Sequence, residues 1–570
     1  MVGNIWDGQQ EYKKLTVKQQ KDNSYAANNR LTGTDDTCVR IIEPPSNAVI
    51  PIIFLPGIMG TNLKSTENDD VVWRPPNMDG VGPVINAVGQ LIKFLFTGAA
   101  TRKKMLDPSR VKIDLSGSIN TEGCIDEDVA RECGWGALAR SSYHPVMSLM
   151  ANRLNHIMES KAFKSGWDTE GKRAPKDYGD EKDNQALTDD ELAHASNYQF
   201  EVWVGGYNWL QSNAQSGQDI VNYVNEVVLE HYKQKKMRVG KAILVTHSMG
   251  GLVGRAAWNI DEGNSILGVV HGVMPATGAP ATYHHVRCGY TGVSSVILGR
   301  NAAEVTAIVG NSEGALELLP TGDYKGGKPW LKLGGSSHEG AQLPIADPYE
   351  EIYKSSEWYG LVPKHNEALL TPEIEPLRNT AAQTGFMAQA AMYRQDNNQS
   401  PLRTSSNSQA IKDFHDRIDR VKQFHLSIQG KYPNPAYVSF SDSVELGSYD
   451  TVHWQGDEIA DLHSVTVQND NKNGKLHLQQ VGEALRLKIG EPLQPGDGTV
   501  STTSGQAPNN TAVTASFRHG SEGKGQYAKH NKKGKPEGYV HQDSYLDPRS
   551  QWATLYSIIK IAQNANWHTQ

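Results

Sequence analysis

The fold is decided by the stretch Lys241-Ala-Ile-Leu-Val-Thr-His-Ser248-Met-Gly-Gly-Leu-Val-Gly-Arg255. Its apolar run Ile243-Leu244-Val245 predicts a buried strand. The two glycines that follow Met249 permit a sharp turn, and the residues beyond them are typical of a helix. A strand, a turn that carries a serine and a helix together predict a nucleophile elbow, which presents the serine at the edge of a sheet.

A second serine competes with Ser248. The elbow pattern Gly-x-Ser-x-Gly has Thr246 in place of its first glycine here, whereas the complete pattern surrounds Ser312 at residues 310–314. The apolar residues before Ser312 recur at helical spacing, so Gly310 is predicted to end a helix and not a strand. We therefore predict that Ser248 is the nucleophile and that Thr246 displaces the following helix slightly outward. A strand-turn-helix with an idle serine is the alternative.

A serine hydroxyl becomes an effective nucleophile only beside a base that an acid orients. In a fold with this elbow, the acid and the histidine follow the serine along the chain. His541 fits the base, because it lies on a loop just before an apolar C-terminal helix. Asp497, in the turn Gly-Asp-Gly, is the first candidate for the acid. Asp442, just beyond a predicted strand at 436–440, is its rival.

The negative charge that develops on a substrate carbonyl requires preorganised N–H donors. The backbone N–H of Met249 is one candidate, because it follows the serine directly. The N–H of Ile58 is the second, because Gly57 and Gly60 place it in a turn after an early strand. Gly250 completes the set of predicted turn residues in the elbow.

Several segments together resemble the α/β-hydrolase lipases. They are Phe54–Thr61, Thr246–Gly251, Gly496–Val500 and the late His541. The segment Gly206-Tyr207-Asn208-Trp209 is similar to the branch that includes GPI-inositol deacylases and lecithin–cholesterol acyltransferases, with Asn208 where that branch has aspartate. Within this branch, the chain length and the segment His271–Pro280 resemble the type VI secretion lipase effectors of bacteria.

The resemblance implies a serine lipase or phospholipase that hydrolyses the acyl esters of membrane phospholipids through an acyl-enzyme. An acyltransferase acting on an alcohol acceptor, or a catalytically inert binding or toxin scaffold, are the alternatives. It also implies an antibacterial effector that a type VI secretion machinery delivers to the periplasm of a target cell. A cognate immunity protein would neutralise it.

Strands that alternate with helices predict an α/β fold with a mainly parallel central sheet. We expect a loose N-terminal arm at 1–45 and an α/β-hydrolase core at 46–63, 200–280 and 436–570. An insertion or cap is expected at 64–199, and a helical lid insertion at 281–435. Two details follow from local composition: an antiparallel excursion at 444–490 with a turn at 471–474, and a mobile surface loop at 164–191.

Charge and composition exclude several other classes of protein. The chain of 570 residues has 56 basic and 63 acidic side chains and a net charge of −7, so it lacks the basic footprint of a nucleic-acid-binding protein. The acidic pairs lack the spacing of a calcium loop, and His284, His285 and Cys288 have no second ligand pair, so neither a metal nor a cofactor is predicted. The N-terminus lacks the pattern of a secretory signal peptide, which predicts synthesis in the cytoplasm.

Two further segments carry weaker signals. The apolar stretch Val81–Ala100 is interrupted by polar residues and is predicted to be a buried, lid or interfacial helix and not a membrane span. The basic run Lys524–Lys535 precedes His541 and is predicted to be a solvated loop.

Overall fold

The computed structural model describes most of the chain. The described residues are 46–75, 98–159, 162–164, 166–290, 299–335, 340–372, 407–511, 513–520 and 537–569, together with short strands between residues 3 and 42. Those N-terminal strands, in the segment expected to be a loose arm, are Gly3–Ile5, Gln10–Leu15, Val17–Gln19, Tyr25–Ala27 and Val39–Ile42.

An eight-stranded sheet forms the centre of the molecule. Its strands are β1 (Ala48–Leu55), β2 (Gln199–Val204), β3 (Arg238–Val239), β4 (Ala242–His247), β5 (Ile266–Gly272), β6 (Ala436–Ser448), β7 (Gln494–Gly496) and β8 (Ala515–Gly520). The spatial order is β2-β1-β4-β5-β6, with β3 paired to β1 and both β7 and β8 paired to β6. All pairs are parallel except β6 with β7. The predicted α/β-hydrolase fold with a mainly parallel sheet is confirmed.

Strands β1, β4 and β5 are buried along their whole length, which explains why their sequences are nearly continuous apolar runs. Within the described ranges, five longer helices surround the sheet and its insertions. They are α1 (Arg140–Leu154), α2 (Asn213–Tyr223), α3 (Gly250–Asp261), α4 (Asn407–Ile428) and α5 (Pro548–Ala562). Helix α2 packs on α3, and α5 packs on β5 so closely that a Cβ at Gly268 would lie 2.9 Å from the side chain of Ile561.

Shorter helices connect these elements. They are Ala99–Met105, Glu127–Glu132, Trp135–Ala137, Glu170–Lys172, Pro175–Tyr178, Asp189–Ala195, Val224–Leu229, Glu230–Gln234, Pro280–Cys288, Ala302–Val309, Glu313–Leu316, Tyr324–Gly326, Tyr349–Tyr353, Lys364–Leu370, Thr502–Gly505, Ala507–Asn510 and His541–Leu546. Short strands outside the two larger sheets are Leu63–Ser65, Val71–Trp73, Val111–Ile113, Met158–Glu159 and Ala162–Phe163.

A second, six-stranded sheet joins the segment at 281–435 to the segment at 444–490. Its strands are, in spatial order, Ala341–Leu343, Leu331–Leu333, Val452–Gly456, Glu483–Ile489, Lys475–Gln480 and Thr466–Asp470. The antiparallel excursion and the turn at 471–474 are confirmed. The mostly helical pattern expected at 281–435 is wrong at 331–343, because strands of three residues are too short to display an alternating pattern.

The segment at 164–191 differs from the mobile surface loop that its polar composition predicts. Two of its aromatic side chains, Trp167 and Tyr178, are buried. The Tyr178 ring stacks on Trp552 of α5 with the ring centroids 3.9 Å apart. Polar residues dominate the count in this segment, but these aromatic anchors attach it to the core.

The described residues contain no helix with the length and apolarity needed to cross a bilayer. The apolar stretch Val81–Ala100 lies outside them up to residue 97, and a helix begins at Ala99. The basic run Lys524–Lys535 also lies outside the described residues.

A buried carboxyl group, Glu317, contacts the residues at the start of α2. Its oxygens accept hydrogen bonds from the Ser212 hydroxyl at 3.0 Å and from the Asn213 N–H at 2.7 Å. Burial raises the pKa of Glu317 from its ordinary value of 4.5 to about 8, although the Asn213 N–H acts in the opposite direction. The folded chain therefore holds this proton over a pH range in which the unfolded chain has lost it.

The contribution of Glu317 to the stability of the protein should accordingly fall as the pH rises from about 4.5 to about 8. The contribution of one such group is at most about 1.4 kcal/mol per pH unit. Glu317→Gln removes the titrating proton. The free energy of unfolding of this variant should therefore rise relative to that of the wild type as the pH rises across this window. Urea unfolding of both proteins at several pH values measures this difference, and parallel stability curves would contradict the prediction.

Candidate active site

Ser248 occupies the sharp turn between β4 and α3. Its φ of 54° lies in the left-handed region, a strained conformation that costs about 1–3 kcal/mol and persists only where the surroundings enforce it. Gly250 allows the turn to approach β1, because a Cβ there would lie 2.5 Å from the carbonyl oxygens of Leu55 and Pro56. The segment therefore has the backbone of an elbow, with the serine at its apex.

Thr246 fits the elbow because Gly254 lies opposite it. A Cβ at Gly254 would be 3.0 Å from the Thr246 methyl group, so the missing side chain leaves room for the threonine. The Thr246 hydroxyl lies 2.9 Å from Nδ1 of the buried His271. The expected outward displacement of α3 stays a prediction.

The structure brings Ser248, His541 and Asp497 together. Nε2 of His541 lies 2.8 Å from Oγ of Ser248, and its Nδ1 lies 2.7 Å from Oδ2 of Asp497. A carboxylate accepts hydrogen bonds only, so the Nδ1 position carries the proton and Nε2 is free to accept the serine hydroxyl. All three residues are buried.

The Asp497 carboxylate is fixed by its own turn. Its Oδ1 accepts the N–H groups of Thr499 and Val500 at 2.9 and 2.7 Å, which leaves Oδ2 for His541. Gly498 permits this turn, since its φ is 88°. The His541 N–H also donates to the Asp497 carbonyl at 2.9 Å. The acid therefore holds both the ring and the backbone of the histidine.

Asp442, the rival acid, lies elsewhere. Its Oδ2 accepts Nε of Arg518, and its Oδ1 is 3.4 Å from the Thr502 hydroxyl. The structure thus places the Asp442 carboxylate against a cation on the neighbouring strand β8, and brings Asp497 to His541.

Ser312, the serine of the complete Gly-x-Ser-x-Gly pattern, has its hydroxyl bonded to backbone groups. The preceding segment is the helix Ala302–Val309, so the prediction of a helix there is confirmed. The Ser312 hydroxyl donates to the Leu210 carbonyl at 2.8 Å and accepts the Ala315 N–H at the start of the next short helix. It caps a helix and lies fully buried.

The turn after β1 faces the elbow. A Cβ at Gly57 would lie 3.0 Å from the Cβ of Ser248, and the Gly60 N–H closes the turn on the Gly57 carbonyl at 3.0 Å. Among the described residues, none of the backbone hydrogen bonds in turns, loops and helix caps is donated by the N–H of Ile58 or of Met249. Their role as oxyanion donors stays a prediction.

Two buried residues beside the site were not found from the sequence. His247 directly precedes the serine, and its ring centroid lies 5.2 Å from that of His541. Tyr143, on α1, has its hydroxyl 3.2 Å from Nδ1 of His247. His247 lies in the decisive stretch but has no spacing that indicates a role, and Tyr143 lies about a hundred positions away with no motif around it.

Metal ligands are not clustered in the described residues, where no group of three or more His, Cys, Asp and Glu side chains could hold an ion. His284 stacks on Tyr449 with the ring centroids 4.6 Å apart, and His285 stacks on Tyr290 at 3.9 Å. Their environment is aromatic packing.

Comparison with known proteins places this geometry in a family. No protein-family model matches the chain, and no curated protein matches it. Among solved structures it is similar to one from the crystal structure of the Tle4-Tli4 complex, with 39% sequence identity and a TM-score of 0.75. The match covers 91% of this chain and 100% of that one. The chain therefore belongs to the family of type VI secretion lipase effectors that includes Tle4.

Proposed function

We propose that the protein is a serine hydrolase that cleaves the acyl esters of phospholipids through an acyl-enzyme on Ser248. The observation that carries the proposal is the pair of contacts made by His541, at 2.8 Å to the serine hydroxyl and 2.7 Å to the Asp497 carboxylate. This is the arrangement in which a histidine activates a serine while an acid orients the ring.

In the first half of the reaction, Nε2 of His541 takes the hydroxyl proton as Ser248 Oγ attacks the ester carbonyl. The N–H groups of Ile58 and Met249 stabilise the negative oxygen of the tetrahedral intermediate. The intermediate collapses as the C–O bond to the glycerol oxygen breaks. His541 gives its proton to that oxygen, so the lysophospholipid leaves with a hydroxyl group and not as an alkoxide.

In the second half, water replaces the alcohol. His541 takes a proton from water, whose oxygen attacks the acyl-enzyme carbonyl, and the same two N–H groups hold the oxygen. Collapse breaks the bond to Ser248, and the proton on His541 returns to the serine oxygen. The fatty acid is released, and the enzyme regains its starting state.

The family relationship supports the biological part of the proposal. One solved relative is from the structure of the Tle4-Tli4 complex. We infer that this protein is likewise an antibacterial effector delivered by a type VI secretion system to the periplasm of a target cell, where phospholipid is its substrate, and that a cognate immunity protein binds it. The segments 64–199 and 281–435 are proposed as caps over the acyl chain, around the core at 46–63, 200–280 and 436–570, with 1–45 as an N-terminal arm.

Product analysis tests the proposal. Vesicles of a phospholipid with two different acyl chains are incubated with the wild type or with Ser248→Ala, and the products are identified by mass spectrometry. We expect equimolar fatty acid and lysophospholipid from the wild type only. A fluorophosphonate should label the wild type at the peptide that contains Ser248. In a parallel incubation with an added alcohol, acyl esters of that alcohol in place of fatty acid would indicate a transferase. The absence of any product or label would contradict the proposal.

A further inference from the structure

A buried chain of hydrogen bonds connects the turn after β1 with the loop that carries His541. The Gly57 N–H donates to the Tyr143 hydroxyl oxygen at 3.2 Å. The Tyr143 hydroxyl lies 3.2 Å from Nδ1 of His247, and Nε2 of His247 lies 3.1 Å from the His541 carbonyl oxygen. Tyr143 and His247 are each 1% exposed, so water does not substitute for these partners.

With a neutral His247 ring, only one arrangement of protons satisfies these three hydrogen bonds. The His541 carbonyl oxygen only accepts, so Nε2 of His247 must carry a proton. In the neutral ring Nδ1 is then bare and accepts the Tyr143 hydroxyl proton, while the hydroxyl oxygen accepts the Gly57 N–H. Burial, and to a smaller extent the nearby His541, lower the pKa of His247 to about 3, so the ring is neutral at neutral pH. Each of these three donors therefore has an acceptor, and the side chain of Gln542 is a further hydrogen-bond partner of the Tyr143 hydroxyl.

The chain joins two parts of the site that must keep a fixed separation. Gly57 directly precedes Ile58, whose N–H is a proposed oxyanion donor, and a Cβ at Gly57 would lie 2.9 Å from Nδ1 of His247. At the other end, the carbonyl belongs to the proposed base. Helix α1, which carries Tyr143, also packs against the helix His541–Leu546. A shift of the His247 ring would therefore move the donor turn and the base relative to each other.

We propose that Tyr143 and His247 are positioning residues. They hold the turn that carries Ile58 and the loop that carries His541 at a fixed separation around Ser248. This inference rests on the proposed serine hydrolase function. Neither residue exchanges a proton with substrate. They act by fixing distances that catalysis tolerates only within about 0.5 Å, and a misplacement of about 1 Å lowers rates by about 100-fold.

The first test is Tyr143→Phe, which removes one hydroxyl and keeps the ring against Phe54. We expect kcat on a soluble ester to fall about 30- to 100-fold with KM nearly unchanged, because the loss concerns the transition state. The inhibition constant of a trifluoromethyl ketone, which forms a tetrahedral oxyanion on the serine, should rise by the same factor as kcat/KM falls. A role in folding alone would not change this constant.

The matched control is Tyr556→Phe, which removes a hydroxyl that donates to the Gln185 carbonyl at 2.8 Å, away from the site. It should lower the melting temperature without changing kcat or the inhibition constant.

The second test compares His247→Gln with His247→Leu. Only glutamine retains a donor for the His541 carbonyl, so it should keep more of the activity than leucine does.

The possible results separate this inference from the proposed function. If the wild type hydrolyses esters and Tyr143→Phe has unchanged kcat and inhibition constant, the positioning role is wrong while the function stands. The same holds if Tyr143→Phe only lowers the melting temperature, as the control does. If the wild type neither hydrolyses esters nor reacts with a fluorophosphonate at Ser248, the function fails and the inference fails with it.

Discussion

Replacing Ser248 with alanine is expected to lower kcat by about 10⁶-fold. The change removes the one oxygen that lies 2.8 Å from Nε2 of His541, so no acyl-enzyme can form. The N–H groups of Ile58 and Met249 should stay in place, and the oxyanion stabilisation proposed for them should leave a residual rate about 10³-fold above the uncatalysed one. The hydroxyl is proposed to act in the chemical step and not in substrate binding, so KM should be almost unchanged. Initial rates of fatty acid release measure both quantities.

Ser312→Ala is the matched control, because it makes the same chemical change at the serine of the complete Gly-x-Ser-x-Gly pattern. The Ser312 hydroxyl caps a helix, and its loss should cost about 1 kcal/mol of stability and no activity. Loss of hydrolysis in this variant, with activity retained in Ser248→Ala, would show that the literal pattern was the better guide.

The elbow could be predicted from the sequence because its determinants are local. The apolar run before Thr246 forms a strand that is buried along its length. The absence of a side chain at Gly250 allows the turn to lie close to the end of β1. The same local argument assigned the helix before Ser312 correctly. The family relationship and the fold class followed from these short segments.

The rest depends on contacts between residues that are distant in the chain. Leu331–Leu333 pairs with Val452–Gly456, more than a hundred residues later, and three-residue strands carry no periodic signal of their own. Tyr143 reaches His247 across a similar separation, in a segment set aside as an insertion. Helix α1 packs against β2 of the central sheet, and no spacing of residues in the sequence predicts that contact.

Asp497→Asn is expected to lower kcat by about 10⁴-fold while leaving the fold intact. Asparagine has the same shape, and its Oδ1 still accepts the N–H groups of Thr499 and Val500. Its amide group, however, donates toward Nδ1 of His541 where the carboxylate accepted. The ring then carries its proton on Nε2, which faces the Ser248 hydroxyl and can no longer take the serine proton. Steady-state kinetics together with melting temperatures measure the two effects separately.

Asp442→Asn provides the comparison that decides between the two acids. It weakens the contact with Arg518 on β8 and should lower the melting temperature, with kcat changed by no more than about twofold. A larger loss of kcat in Asp442→Asn than in Asp497→Asn would reverse the assignment.

The effects of substituting residues that act as one unit are not additive. Adding Asp497→Asn to Ser248→Ala should therefore produce little further loss of kcat. A full additional loss of about 10⁴-fold in the double variant would mean that Asp497 acts independently of the serine.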